Sequence, residues 1–239
     1  MNKDIFRIEK IKIENVSKEE KHQKNRDKLN HERPKNKEED KTYQKDKNMT
    51  MLKQIKKKIK DIKEKKGKTT RKDAVVLYHI MITYSPEMEE KIGDKKEVRK
   101  EWIKENMRFL EREFGKENIL RVDLHRTETT THMHCFITPI FEGTFNSKHY
   151  INNKYSLSEF QDRHAECMKK FGLKRGEKRV YNKTKEKVRH KSLGKYYKEL
   201  NEKINQLEEK KKEMEKDILE ENYYEEKKFI SNFDIEELY

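Results

Sequence analysis

Residues 122–140 have the sequence VDLHRTETTTHMHCFITPI, which contains three histidines within ten positions. Apolar and β-branched residues on both sides of a short Thr-rich turn predict two neighbouring strands, over residues 118–125 and 132–140. Because side chains alternate between the two faces of a strand, His132 and His134 share one face and Met133 lies on the other. His125 ends the first strand, so pairing of the strands places it beside the other two histidines.

Three neutral imidazoles on adjacent strands form a candidate site for a divalent metal, with open positions of the kind that a catalytic site needs. Imidazole ligation favours Mn²⁺ over Mg²⁺. Glu128 lies in the turn, and three roles are open to it: a metal ligand, a group that orients an imidazole, or a turn residue only. Isolated histidines are expected to be ordinary core or surface residues, and we assign His79, His149 and His164 to that class.

The rest of the apolar residues concentrate between Ala74 and Phe171, which predicts one compact domain with charged flanks. Hydrophobic periodicity predicts further strands over 5–13 and 74–84, and helices over 49–66, 95–114 and 156–171. Two capping boxes are expected at the last two helices, formed by Asp94 with Glu97 and by Ser156 with Glu159. Residues 17–47 have few apolar side chains and are expected to form an extended loop, or to be disordered until they meet a partner.

The C-terminal residues 191–239 follow a different pattern. Apolar side chains repeat there with 4-3 spacing, broken only by Lys211, at Leu193, Tyr197, Leu200, Ile204, Leu207, Met214 and Ile218. The seam is narrow and the other faces are charged, which favours a coiled coil between two copies of the chain. The alternative is one long helix that folds back on the domain. Two domains are therefore expected, 1–190 and 191–239.

Composition restricts the class of protein. The chain has 239 residues with 60 Lys and Arg against 46 Asp and Glu, a formal net charge of +14. This excess favours a polyanionic partner such as nucleic acid, and a highly solvated surface is the alternative. No apolar stretch approaches the roughly 20 residues of a membrane helix, and no signal peptide is evident. Cys135 and Cys167 form no C-x-x-C pair, so a cytoplasmic protein is expected.

Several common enzyme signatures are absent from the sequence. It has no Gly-rich phosphate loop, no H-E-x-x-H and no G-x-S-x-G. The sequence therefore lacks the motifs that are typical of nucleotide hydrolases, zincin proteases and serine hydrolases.

Taken together, the motifs resemble those of the Pre/Mob relaxases, the MobV family of plasmid mobilisation and recombination enzymes within the histidine–hydrophobe–histidine (HUH) endonucleases. The resemblance covers about residues 1–197 and rests on four motifs in order. They are RIEKIK at 7–12 with KHQKNR at 21–26, RKDAV at 71–75, LHRTETTTHMH at 124–134, and GLKRG at 172–176 followed by RH at 189–190 and YY at 196–197. Thr127 and Thr131 stand where the family pattern has Asp and Pro.

This resemblance implies an α/β (α+β) relaxase domain, an antiparallel sheet with packed helices, followed here by the coiled-coil helix. It implies metal-dependent nicking and rejoining of one DNA strand at a plasmid transfer origin, through a covalent 5′-phospho-protein intermediate. His125, His132 and His134 would then be the metal ligands. His22 would be the nucleophile, assisted by Glu128. Most related endonucleases use a tyrosine instead, and Tyr43 is the only tyrosine in the corresponding loop.

The same resemblance suggests which groups contact DNA and which rival functions stay open. Arg26 and Arg71 are candidate phosphate contacts, and Lys56, Lys57 and Lys60 are weaker ones. One rival is a rolling-circle replication initiator of the same superfamily, with a catalytic tyrosine at 196 or 197. The other is a DNA-binding coiled-coil protein whose metal site is inactive.

Overall fold

The computed structural model describes residues 2–24, 40–126, 130–176 and 193–231. The chain divides into two compact units, Met1–Arg179 and Val180–Tyr239. The first is a mixed α/β unit built on a mostly antiparallel sheet, as expected, and the described part of the second is one long helix. The domain boundary expected between residues 190 and 191 falls outside the described residues.

The strands and helices of the described ranges are the following. The strands are β1 (Lys3–Lys12), β2 (Lys41–Gln44), β3 (Val75–Tyr84), β4 (Ile119–His125), β5 (His132–Ile137), β6 (Ile140–Phe141), β7 (Thr144–Phe145) and β8 (Lys174–Arg175). The helices are α1 (Ile13–Lys24), α2 (Met51–Lys66), α3 (Lys96–Phe114), α4 (Ser147–Tyr150), α5 (Lys154–Met168) and α6 (Leu193–Ser231). Six strands form one sheet in the order β2-β4-β5-β3-β1-β8, antiparallel except between β1 and β8.

The two faces of this sheet bury different cores. Alternate residues of β3, such as Tyr78 and Ile80, pack with α3 and α5 in the larger core. The smaller core lies on the opposite face, where Val16 of α1 and Ile55 of α2 pack against Phe136 of β5. Helices α1 and α2 therefore share the sheet face that carries the even-numbered residues of β5, including the two histidines of the H-x-H motif.

Helix α2 and the ends of the later helices follow the sequence expectations, whereas the two predicted capping boxes are wrong. The backbone N–H of Asp94 bonds to Glu89 O in a π-helical turn, so α3 begins after Lys95 without a side-chain cap. Helix α5 begins earlier than predicted, because Asn153 forms the capping box with Ser156. After α5, a 3₁₀ turn continues the chain to Phe171.

The expectation of an extended or disordered loop over residues 17–47 is also wrong in two places. Residues 17–24 belong to α1, which begins at Ile13, and residues 41–44 form the strand β2. Val16 is the one fully buried apolar residue of α1, and the polar Glu20 is buried with it. A helix with so little apolar periodicity is stabilised mainly by its docking on the sheet, which a sequence pattern does not report. Residues 25–39 lie outside the described ranges.

The long helix α6 forms the described part of the second unit. Its 4-3 positions from Leu200 to Ile218 are 38% to 66% exposed. Leu193 and Tyr197 lie at its start, where side chains are not described. None of the described helices combines the length and the apolar character that crossing a membrane requires.

A buried hydrogen-bonded triad links β1, α3 and α5 and yields a stability prediction. His164, fully buried, bonds through Nδ1 to Asp4 Oδ2 and through Nε2 to Asn106 Oδ1, both at 2.8 Å. Replacing Asp4 by alanine leaves a buried imidazole nitrogen without an acceptor, so unfolding should cost about 3 kcal/mol less. Urea denaturation measures this, with Asp73→Ala as an exposed control that should change stability by about 0.5 kcal/mol at most. An Asp4→Ala loss below about 1 kcal/mol would contradict the role of the triad.

Candidate metal centre

The strand pairing brings the three histidines of the predicted hairpin together. His125 of β4 and His132 of β5 are register partners, and His134 lies two residues along β5 on the same face. The three ring centroids are 5.0 to 5.3 Å apart. Met133 lies in the core on the opposite face, as predicted, and Cys135 lies there with it. Burial raises the pKa of the Cys135 thiol, so this side chain stays protonated and outside the centre.

Two of these imidazoles are held by oxygen acceptors at Nδ1. His125 Nδ1 lies 3.0 Å from Asp40 Oδ2, and the same carboxylate accepts the backbone N–H of Arg126 at 2.6 Å. His132 Nδ1 lies 2.8 Å from the backbone carbonyl of Thr130. Because these oxygens only accept hydrogen bonds, each ring carries its proton on Nδ1. Nε2 is then the nitrogen with the lone pair.

The third imidazole is held by another histidine. His134 is 1% exposed, and its Nδ1 lies 2.6 Å from His79 Nε2. His79 Nδ1 in turn lies 3.1 Å from Glu19 Oε1 of α1. The His79 ring stacks on Phe136 with a centroid distance of 4.8 Å. His79 was expected to be an ordinary core or surface residue, and the structure instead places it next to the candidate ligands.

These features are consistent with a divalent metal bound through the three Nε2 atoms. Among the described residues, no hydrogen-bond partner contacts the buried Nε2 of His125, and metal ligation would satisfy this polar atom. Ring separations near 5 Å suit imidazoles that share one ion, since each metal–nitrogen bond is about 2 Å long. Within the described ranges, no three His, Cys, Asp or Glu side chains already have the geometry of a metal site. Metal binding therefore requires the histidine rings to reorient.

A buried ion pair beside the centre contributes no further ligand. Asp123 stands opposite His134 in the β4–β5 register and faces the same side of the sheet. Its carboxylate accepts hydrogen bonds from Arg121 at 2.8 Å and from Thr42 at 2.7 Å. These bonds occupy Asp123, and the bond from Thr42 links β2 to β4.

The candidate nucleophiles occupy different places. His22 lies on α1 three residues after Glu19, within about one helical turn of the residue that contacts His79. Tyr43 is the register partner of Val122, whose side chain is in the larger core. Cross-strand partners share a face, so Tyr43 points to the face opposite the histidines. The side chain of His22 is not among the described ones.

The candidate DNA contacts that the structure describes lie on α2 and in the turn before β3. Lys56, Lys57 and Lys60 are exposed on α2. Arg71 is exposed in the turn before β3, with its guanidinium 3.3 Å from Asp73. Arg26 and Glu128 lie outside the described residues.

Three residues near the centre were not identified from the sequence as functional. Asp40 and Glu19 lie in charged segments and act on histidines that are 85 and 60 positions away in the chain. Arg7 is exposed on β1. It pairs with Met81 of β3, and Met81 pairs with His134 of β5. Its neighbour Phe6 is in the larger core, so Arg7 faces the histidine side about 10 Å from His134. Of the three, only Arg7 could have been found from the sequence, because the alternation of side chains along β1 places it on the histidine face.

Known proteins were compared with the chain at the level of sequence. The family model described as "Plasmid recombination enzyme" (Mob_Pre) matches residues 1–198. A plasmid recombination enzyme type 2 from Staphylococcus aureus is 29% identical over 186 residues, which are 74% of this chain and 43% of that protein. A type 3 enzyme from Staphylococcus aureus is 38% identical over 91 residues, 37% of this chain and 21% of that protein. The chain thus spans less than half the length of these curated relatives.

Solved structures agree with the fold. The Mn-bound relaxase domain of MobM, crystallised with 22 nucleotides of plasmid pMV158 oriT DNA, matches with a TM-score of 0.68 at 21% identity. That match covers 82% of this chain and 98% of the MobM domain. A complex of the same domain with 26 nucleotides gives a TM-score of 0.61 at 23% identity. Since the family model spans residues 1–198 of 239, the chain belongs to the Mob_Pre family of plasmid recombination enzymes.

Proposed function

We propose that this chain is a DNA relaxase that nicks and rejoins one strand at a plasmid transfer origin, for mobilisation or recombination of the plasmid. The observation that carries the proposal is the group of three imidazoles, each held at Nδ1, on the sheet face that also carries α1. Membership of the plasmid recombination enzyme family supports it. So does the likeness to a relaxase domain whose crystals contain Mn and oriT DNA. We infer that it acts in the cytoplasm, where plasmid DNA is found.

In this proposal His125, His132 and His134 bind a divalent metal, Mn²⁺ in preference to Mg²⁺, because imidazole nitrogen suits Mn²⁺ better. The bound metal would polarise the scissile phosphate and neutralise charge that builds on its non-bridging oxygens. Asp40 and the Thr130 carbonyl orient two of the imidazoles and keep their Nε2 atoms unprotonated. Glu128 orients the ligands or assists proton transfer.

The nucleophile in this proposal is His22. One of its ring nitrogens attacks phosphorus, the bond from phosphorus to the 3′ oxygen breaks, and a phosphoramidate to the 5′ phosphate forms. The imidazole proton passes to the departing oxygen, which becomes a 3′-hydroxyl. Attack by that hydroxyl reverses each change and rejoins the strand. The position of His22 on α1, one turn from Glu19, supports this assignment.

The general experiment is a nicking assay with the purified chain. We expect a supercoiled plasmid that carries the native origin to be nicked in Mn²⁺, with protein attached to the 5′ end. Chelation by EDTA should stop the reaction, and a plasmid without the origin should remain supercoiled. Origin binding without cleavage in either Mn²⁺ or Mg²⁺ would instead favour the DNA-binding protein with an inactive site. A covalent adduct at Tyr196 or Tyr197 would favour a replication initiator.

DNA binding is assigned to basic groups that flank the histidines. We propose phosphate contacts by Arg26 and Arg71, by Arg7 on β1, and more weakly by the lysines of α2.

Replacing Lys56, Lys57 and Lys60 together by alanine should weaken origin binding. It should also lower the slope of log affinity against log salt by about 2, because fewer counterions are released. Fluorescence anisotropy at several salt concentrations measures this slope, and changing the exposed Lys203, Lys210 and Lys212 of α6 to alanine is the matched control. An unchanged slope in the α2 variant would remove these lysines from the interface.

We also propose that α6 joins two copies of the chain as a coiled coil. Leu200, Ile204, Leu207, Met214 and Ile218 are partly exposed at 4-3 spacing, while ion pairs such as Lys211 to Glu215 at 3.5 Å run along the helix. Deleting residues 192–239 should therefore give a monomer that still nicks DNA, because His22, Glu128 and the three proposed metal ligands all remain. Analytical ultracentrifugation checks this, and identical oligomeric states for the full and shortened chains would contradict the coiled coil.

A further inference from the structure

The candidate ligand His134 differs from the other two in what holds its Nδ1. His125 and His132 face a carboxylate and a backbone carbonyl, groups that only accept hydrogen bonds. His134 instead faces His79 Nε2 at 2.6 Å, and an imidazole nitrogen either donates or accepts, depending on its tautomer. Which nitrogen of His134 carries the proton therefore depends on which nitrogen of His79 carries it.

Glu19 settles the tautomer of His79. Its carboxylate Oε1 lies 3.1 Å from His79 Nδ1, and a carboxylate in this position favours a proton on Nδ1. His79 Nε2 then has a lone pair and accepts the proton of His134 Nδ1, which leaves Nε2 of His134 as the unprotonated nitrogen. With the opposite tautomer of His79, His134 would carry its proton on Nε2, where a metal could not bind.

Glu19, His79 and His134 form a hydrogen-bonded relay, and the packing around it holds it in one arrangement. The side chains of His79 and Glu19 are only 12% and 18% exposed, so little water competes for the contacts. Stacking on Phe136, with 17° between the planes, fixes the orientation of the His79 ring. The relay starts on α1, one turn before His22, and ends at β5. It thus joins the helix of the proposed nucleophile to the proposed metal ligands.

We propose that Glu19 and His79 are positioning residues that fix the tautomer of His134, so that its Nε2 carries the lone pair that a metal ligand needs. This inference rests on the proposed metal site and extends it to a second layer of residues. Removal of such an orienting group typically weakens metal binding by about 10- to 100-fold.

The first test needs no metal. Long-range ¹⁵N–¹H spectra of the metal-free full chain, with labelled histidine, report which nitrogen of each ring is protonated. The His134 signals are assigned by their loss in His134→Gln. We expect the proton on Nδ1 of both His134 and His79, and a shift of His134 towards the Nε2-protonated form in His79→Leu. A proton on Nε2 of His134 in the unmodified chain would overturn the proposal.

The second test measures Mn²⁺ affinity from the electron paramagnetic resonance signal of the free ion. His79→Leu removes the acceptor and should weaken binding about 10- to 100-fold. His79→Gln should stay within about threefold, because the amide group still donates to Glu19 and its oxygen accepts from His134. Glu19→Gln should give an intermediate loss. The matched controls are Glu14→Gln on the exposed side of α1 and His149→Leu outside the centre, and both should bind as the unmodified chain does.

The outcomes separate the relay from the metal site itself. Equal Mn²⁺ affinity in the unmodified chain and in His134→Ala would refute the metal site, whatever the relay does. Tight binding that is lost in His134→Ala but kept in folded His79→Leu would refute the relay alone. If His79→Leu does not fold, His79→Gln and Glu19→Gln decide the proposal. A loss of Mn²⁺ affinity in His79→Gln as large as that in His134→Ala would overturn it.

Discussion

Replacing His134 by alanine is expected to lower the rate of nicking of a supercoiled origin plasmid by at least about 100-fold in Mn²⁺. The change removes the most deeply buried of the three imidazoles, 1% exposed, and with it one of the three proposed metal ligands. The variant keeps every basic group assigned to DNA, so origin binding should remain within a few-fold. Gel separation of nicked and supercoiled plasmid, beside a gel-shift assay, measures both quantities.

Two further variants make this result interpretable. His132→Ala removes a ligand nearer the rim, 8% exposed, and should lose nicking in the same way with less effect on stability. His149→Ala changes a histidine that stacks on Phe141 away from the centre, and it should nick normally. Nicking at the unmodified rate by folded His134→Ala in Mn²⁺ would refute the metal assignment.

The centre itself was predictable because it depends on local rules. Strand alternation places His132 and His134 on one face, and a short turn brings the preceding strand alongside, so His125 becomes the partner of His132. These contacts lie within ten residues of the chain. The same locality explains why periodicity located helix α2 and its end at Gly67, which has the left-handed conformation that favours glycine.

The groups that support the centre depend on contacts between distant segments, which one sequence does not report. Asp40 reaches His125 only because β2 pairs with β4, and β2 has four residues with no periodicity of their own. Glu19 reaches His79 only because α1 docks on the sheet through Val16. In a chain with 44% charged residues, the sequence does not distinguish an acidic side chain that contacts these histidines from any other surface carboxylate.

Register also distinguishes the two candidate nucleophiles, which the sequence left open. Tyr43 and His22 both lie in or beside the segment that was expected to be extended. Pairing of Tyr43 with Val122 directs the tyrosine to the face opposite the histidines, where it is 54% exposed on an edge strand. Helix α1, which contains His22, packs on the face of the sheet that carries the histidines. This placement supports our proposal that His22 is the nucleophile.

The second large effect is therefore expected for His22. His22→Ala should abolish the covalent protein–DNA adduct, because the variant has no group to attack phosphorus, while Tyr43→Phe should form the adduct at the unmodified level. Denaturing gels of labelled origin oligonucleotide in Mn²⁺ detect the adduct directly. Both variants should bind the origin, since neither change removes one of the proposed phosphate contacts.

The chemistry of the adduct gives an independent identification of the donor. Acid protonates the imidazole of a phosphoramidate and makes it a good leaving group, whereas a phosphotyrosine ester survives mild acid. The adduct should therefore break down in mild acid and persist in base. An acid-stable adduct that His22→Ala retains, and that is lost in Tyr43→Phe or in a double change of Tyr196 and Tyr197, would refute the histidine mechanism. Loss of the adduct in His134→Ala is expected in either case, because the phosphate must be polarised whichever group attacks.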